Sequence, residues 1–218
     1  MARAISIHQL MHTKYDMVKL DGDWADLLGD QIELKGGIFI WGDSGFGKTR
    51  FSLKLAKYLS QFERVLYNSM EEGNSATQQI AWQDAQMVDA RGRVHLLDNE
   101  PISELRIRLS KRQSPRICFI DSFQYSGLSF EAWKKLKDAN RDKLFVFLSH
   151  AEGRKPQGRT ANRVRYDCGI KIFINGFVAY PRSRYGGNKP MVLWEEGARR
   201  CHGDAEIDRL MEYGREQE

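Results

Sequence analysis

Lys48 and Thr49 close a glycine-bracketed run, Gly42, Asp43, Ser44, Gly45, Phe46 and Gly47, and Arg50 comes directly after them. The spacing is G-x-x-x-x-G-K-[ST], the pattern of a phosphate-binding loop. Glycines let the backbone curl until successive N–H groups point inward at phosphate oxygens. Lys48 supplies a cation that reaches β- and γ-phosphates, and Thr49 a hydroxyl for Mg²⁺. Arg50 either touches the nucleotide or faces solvent. The plain alternative is a glycine-rich turn with an exposed lysine. An apolar run before the loop, Ile38 to Trp41, and a helical pattern after it weigh against that.

Two acidic positions add to this chemistry. Asp121 ends the apolar stretch RICFID, where a carboxylate holds Mg²⁺ directly or through water. Glu71 and Glu72 follow VLYNS. A carboxylate at the C-terminal edge of a parallel sheet can polarise an attacking water. Complementing a helix dipole is the other role such a glutamate takes, and the pair can divide the two roles.

These groups need elements to position them. Phe51, Leu55, Leu59 and Phe62 recur at helical spacing after the loop. Val65 to Asn68 reads as a strand, 75–87 as a helix, 93–98 as a strand and 101–112 as a helix. Then come strand 116–121, helix 130–139 and strand 143–150. Alternation of this kind predicts an α/β fold, a mostly parallel central sheet with helices on both faces. Residues 151–166 read as a basic, glycine-containing loop. Three strand-like runs follow, 169–174, 177–183 and 191–196, as a β-meander extending the sheet. From Asp204 the chain reads as an acidic amphipathic helix with Ile207, Leu210 and Met211 on one side. The expected organisation is a lead-in over 1–34, one phosphate-loop domain over 35–203 and a tail over 204–218.

Composition narrows the class. With 218 residues, 41% hydrophobic and 29% charged, the chain suits one globular domain. No apolar run approaches the roughly 20 residues of a membrane span. The N-terminus has neither the apolar core nor the cleavage site of a secretory signal. Three cysteines, Cys118, Cys168 and Cys201, without C-x-x-C spacing, imply reduced thiols and a cytoplasmic setting. The net charge of +5 leans mildly towards polyanionic partners. His8 and His12 share a helical spacing but lack a third ligand. Cys201 and His202 are adjacent, a poor geometry for chelation. Trp24, Trp82, Trp133 and Trp194 read as core or interface residues.

From Lys35 to Trp194 the order of motifs resembles the RecA-like ATPases, in particular the RadA/Sms and DnaB branch. GGIFIWGDSGFGKTRFSLKLA is similar to that family's first strand, phosphate loop and helix. VLYNSMEEG resembles the RadA-type VLYVSGEES, which implies that Glu71 is the catalytic glutamate. CFIDSFQ resembles the Walker B strand and so places Asp121 on the metal. FVFLSH resembles the strand whose terminal polar residue senses the γ-phosphate, Ser149 or His150 here. PRSRYGG resembles KNRFG, whose basic residue reaches the neighbouring subunit's nucleotide, which implies that role for Arg182 or Arg184. RadA's zinc finger and protease-like domain have no counterpart in this chain, and neither the lead-in nor the tail matches the family. A compact stand-alone domain is also similar to those of phages and mobile elements.

The resemblance implies ATP and Mg²⁺ as ligands, self-assembly into a ring or filament, and DNA as partner, single-stranded by preference. Recombination, repair and replication are the processes such proteins serve. Arg154, Lys155, Arg159, Arg163 and Arg165 form a run without an acidic residue, in the segment that lines the centre of such assemblies. Such a cluster neutralises phosphates and releases counterions, so binding would be salt-sensitive. With no aromatic residue among them before Tyr166, base stacking is not expected. A solvated basic loop is the bland alternative. The rival functions are a KaiC-like regulatory module without DNA binding, a small-molecule kinase, for which no lid segment is visible, and a degenerate binder with little turnover.

Overall fold

The computed structural model describes residues 4–215, so the extreme ends of the predicted lead-in and tail lie outside the described residues. In chain order the elements are α1 (Ile7–Met11), β1 (Met17–Lys19), α2 (Gly22–Leu28), β2 (Gln31–Glu33), β3 (Gly36–Gly42), α3 (Lys48–Leu59), β4 (Val65–Ser69) and α4 (Ala76–Asp84). They continue with β5 (Val94–Asp98), α5 (Ile102–Leu109), β6 (Ile117–Asp121), α6 (Phe130–Ala139), β7 (Leu144–Glu152) and β8 (Lys155–Pro156). The last are α7 (Arg159–Asp167), β9 (Ile170–Asn175), β10 (Val178–Ser183), β11 (Met191–Val192), α8 (Glu195–His202) and α9 (Asp204–Arg215).

The main sheet has nine strands in the order β11-β10-β9-β3-β7-β6-β4-β5, with β8 folded back on β7. Strands from β9 to β5 in that order run parallel, while β10, β11 and β8 pair antiparallel with their neighbours. This is the predicted α/β architecture with a mostly parallel sheet.

The apolar runs explain it. Side chains alternate across a strand, so a strand buried on both faces must be apolar throughout. On β3, Ile38 and Ile40 enter one core and Phe39 and Trp41 the other. On β7, Leu144, Val146 and Leu148 divide from Phe145 and Phe147 in the same way. The first core is mostly aliphatic and lies beneath α2, α3 and α4. The second is rich in aromatic rings and lies beneath α5, α6 and α7, with Trp133 and Phe147 edge to face at 5.0 Å. Helices therefore cover both faces.

Two expectations change. The segment 151–166 is not a loop: Lys155 and Pro156 pair back on β7, and α7 begins at Arg159. Ala161 and Val164 are buried on α7, so its apolar face anchors it to the second core. The last predicted strand stops at Val192, because Glu195 and Glu196 open α8 as acidic residues in a first turn. The tail helix α9 docks through Ile207, Leu210 and Met211 onto Val178 and Ala198. Upstream, β1 pairs with β2, and Leu20, Leu27, Leu28, Ile32 and Leu34 enter the first core. Among the described residues no helix is long and apolar enough to cross a membrane.

Candidate nucleotide and metal site

The phosphate loop lies at the C-terminal end of β3, where parallel α/β sheets hold their ligands. Gly42 is imposed by the neighbouring strand: a Cβ there would stand 2.2 Å from the Ile174 carbonyl oxygen. Gly47 is imposed by its own backbone, at φ +90°, as it turns the chain into α3. Among the described residues no side chain caps that helix, which leaves its first N–H groups for an anion. Lys48 donates from Nζ to the Asp43 carbonyl at 2.7 Å, folding back on its own loop. Burial lowers its pKa, while Asp121, Glu71 and Asp43 act in the opposite sense.

The groups predicted from sequence converge on a cleft of about 190 Å³. Ser44, Gly45, Gly47, Lys48, Thr49 and Arg50 line one side. Glu71, Glu72, Asp121, Ser122 and His150 line the other. The volume falls below the ~300–1,000 Å³ of a pocket that encloses a whole small molecule. It suits a phosphate chain with the remainder of a ligand outside. Phe46 turns its ring away, edge to face on Phe177 at 5.8 Å, so only its backbone serves the loop. Arg50 lines the cleft and lies 3.5 Å from Asp84.

Asp121 ends β6 opposite Ser69 of β4. Its carbonyl accepts from the N–H groups of Met70 and Glu71, which ties the two strand ends together. The peptide between Asp121 and Ser122 is cis. Burial raises the Asp121 carboxyl to about 6, and the hydrogen bond from Tyr67 draws it back down. Among the described residues the buried hydroxyl of its neighbour Ser122 has no partner. Mg²⁺ takes oxygen ligands and keeps several waters. The Thr49 hydroxyl, the Asp121 carboxylate and the orphan Ser122 hydroxyl fit that demand.

The two glutamates separate. Glu72 accepts from Thr77 at 2.8 Å, at the entry to α4. Glu71 lies 3.3 Å from His150 Nε2. Ser149 is fully buried and does not reach the cleft, so His150 is the one of the two that faces it. Gln124, which sequence reasoning did not single out, joins this end of β7 to the basic segment. Its Nε2 donates to Ser149 Oγ at 2.9 Å and to the Gln157 carbonyl at 3.2 Å, and its Oε1 accepts from the His150 N–H. Nothing in its spacing distinguishes it, because the contact depends on a turn between two strands.

The basic residues divide too. Arg163 lies 4.2 Å over the Phe130 ring and 3.5 Å from Glu131. Arg165 stacks on Trp41 and on Tyr166, at 5.1 and 4.7 Å. Aromatic rings thus do meet the basic residues, brought from outside the segment. Arg154, Lys155 and Arg159 are exposed, and among the described residues their side chains make no ion pair or hydrogen bond. Trp41, one residue before the phosphate loop, donates to the Arg154 carbonyl at 3.2 Å.

Arg182 and Arg184 stay out of the cleft. Arg182 pairs with Lys171, which is opposite Phe39, and Arg184 bonds to Gly169, opposite the N-terminal end of β3. The turn that carries them is clamped by α2. Ser183 donates to the Leu28 carbonyl, Lys189 binds Asp26 at 2.9 Å, and any Cβ at Gly29 would strike Tyr185. His8 and His12 stack at 4.2 Å. Set against protein-family models and curated proteins, the sequence matches none of them.

Proposed function

We propose that this protein is a RecA-like ATPase that acts on DNA and hydrolyses ATP between subunits. One observation carries the reading: Lys48, Thr49, Asp121 and Glu71, far apart in sequence, line a single cleft at the C-terminal edge of a parallel sheet. The loop amides and Lys48 hold the triphosphate. Thr49 and Asp121 hold Mg²⁺, which neutralises phosphate charge when bound. Glu71 aligns the attacking water and accepts its proton. His150, in contact with Glu71, follows the state of the γ-phosphate. Its backbone and Gln124 pass that state to Gln157 and the basic segment.

Arg182 or Arg184 of a neighbouring copy stabilises charge in the transition state. Both are exposed and outside their own cleft, which is what a role in trans requires. DNA contact falls first on Arg154, Lys155 and Arg159, whose charges have no partner among the described residues. Recombination, repair and replication are the processes in view.

The test is steady-state ATP hydrolysis by the purified protein, with and without single-stranded DNA, at low and moderate salt. Stimulation that fades with salt is the expected result. Hydrolysis indifferent to DNA would keep the ATPase and move the reading to a KaiC-like module with protein partners. No hydrolysis would overturn it.

A further inference from the structure

Tyr67 is fully buried in β4, stacked on Phe119 at 5.3 Å and edge to face with Trp82 at 6.0 Å. A buried phenol must place its hydroxyl on a partner. This one has two. Tyr67 Oη donates to Asp121 Oδ2 at 2.7 Å and lies 2.8 Å from Ser52 Oγ. Ser52, also fully buried, reaches the Thr49 carbonyl at 2.8 Å from within α3. Four oxygens from three elements thus form one line: Thr49 O, Ser52 Oγ, Tyr67 Oη and Asp121 Oδ2.

The ends of that line are the two residues assigned above to the metal. Thr49 sits on α3, after the phosphate loop, and Asp121 at the end of β6, which β7 separates from β3, and among the described residues no direct bond joins the two. From this geometry we infer that Tyr67 and Ser52 are positioning residues, which set the Asp121 carboxylate at a fixed distance from Thr49 so that the pair can hold Mg²⁺ with a nucleotide. Oδ2 is taken by Tyr67, which leaves Oδ1 for the cleft. Such outer partners act on metal affinity, because a ligand free to rotate loses part of its binding to ordering. The inference rests on the nucleotide-site reading.

The experiment is calorimetric titration of the full chain with a non-hydrolysable ATP analogue, with and without Mg²⁺, on wild type, Tyr67→Phe and Ser52→Ala. Phenylalanine keeps the ring packing and deletes only the hydroxyl. Tyr67→Phe is expected to bind the Mg²⁺-free analogue within about twofold of wild type and to lose about tenfold of the affinity that Mg²⁺ adds. Ser52→Ala should lose less, in the same direction. In turnover, kcat should fall and the Mg²⁺ requirement rise. An unchanged Mg²⁺ gain in both variants overturns the inference, as does an equal loss with and without Mg²⁺, the mark of a merely structural role. If Tyr67→Phe does not fold, Ser52→Ala decides alone. A wild type that binds no nucleotide at all fails the site reading itself, and that failure is seen before any variant is compared.

Discussion

Two regions of this molecule bring arginine or lysine close to carboxylates, and they treat them in opposite ways. Between α8 and α9, Arg199 is surrounded by Glu195, Asp204 and Asp208, at 2.8, 3.4 and 2.7 Å. Arg200 pairs with Glu196, and Arg209 with Glu206. Every one of these charges is answered within the chain. In the cleft, Lys48 shares a wall-to-wall space with Asp121 and Glu71, and among the described residues it pairs with neither. It bonds to a backbone carbonyl instead.

The difference is one of geometry. On adjacent helices the side chains, apart from the half-buried Arg199, are exposed and free to find each other, and such pairs contribute little to stability. In the cleft the groups stand on separate elements, Lys48 on α3, Glu71 after β4 and Asp121 at the end of β6, and burial raises the Asp121 carboxyl to about 6. Charges kept separate at such a cost are what the proposed nucleotide site calls for.

Four substitutions would break or sharpen this contrast. The largest effect belongs to Lys48→Ala, which should lower ATP turnover by about 100-fold or more, since it removes the cation that meets the developing phosphate charge. Wild-type turnover in that variant would leave the cleft no different from the α8–α9 surface. Next, Glu71→Gln should cost roughly 10²-fold in kcat, as expected for loss of a general base, with nucleotide affinity kept within a few-fold. Equal losses in affinity and kcat would show that Glu71 binds rather than activates.

A smaller effect is expected of Trp41→Phe. It keeps an aromatic ring beside Phe173 but removes the donor to Arg154 and weakens the Arg165 stack, an interaction of about 0.5–2 kcal/mol. DNA-free turnover should hold while stimulation by single-stranded DNA drops several-fold. Stimulation equal to wild type would place the coupling elsewhere, with Gln124 the next residue to change. The smallest effect is Arg199→Ala, which should leave turnover unchanged and lower the thermal midpoint only slightly, read by scanning calorimetry. A marked loss of activity there would contradict the view that those charges serve only each other.

Much of this was legible in the chain itself. The strands β3, β4, β6 and β7 are short apolar runs, and burial on both faces leaves a sequence few other options. The loop from Gly42 to Thr49 carries its own geometry, because a positive φ and a close carbonyl exclude other residues. Asp121 ends β6 and Glu71 comes two residues after β4, so a parallel sheet brings them to one edge. That is why the residues that line the cleft are legible in local pattern, while Arg182 and Arg184, which stay outside it, are not.

What the tertiary structure alone decided was set by contacts between distant segments. The basic run reads as a loop because its apolar residues are few, yet Ala161 and Val164 suffice to fold α7 once the second core offers them a surface. The contacts of Tyr67, Ser52 and Gln124 depend on strand register and on how a turn meets its neighbour, and neither leaves a mark in local spacing. The exclusion of Arg182 and Arg184 from their own cleft follows from the antiparallel return of β10. Local pattern determines which elements form and what each carries; only packing determines which of them meet.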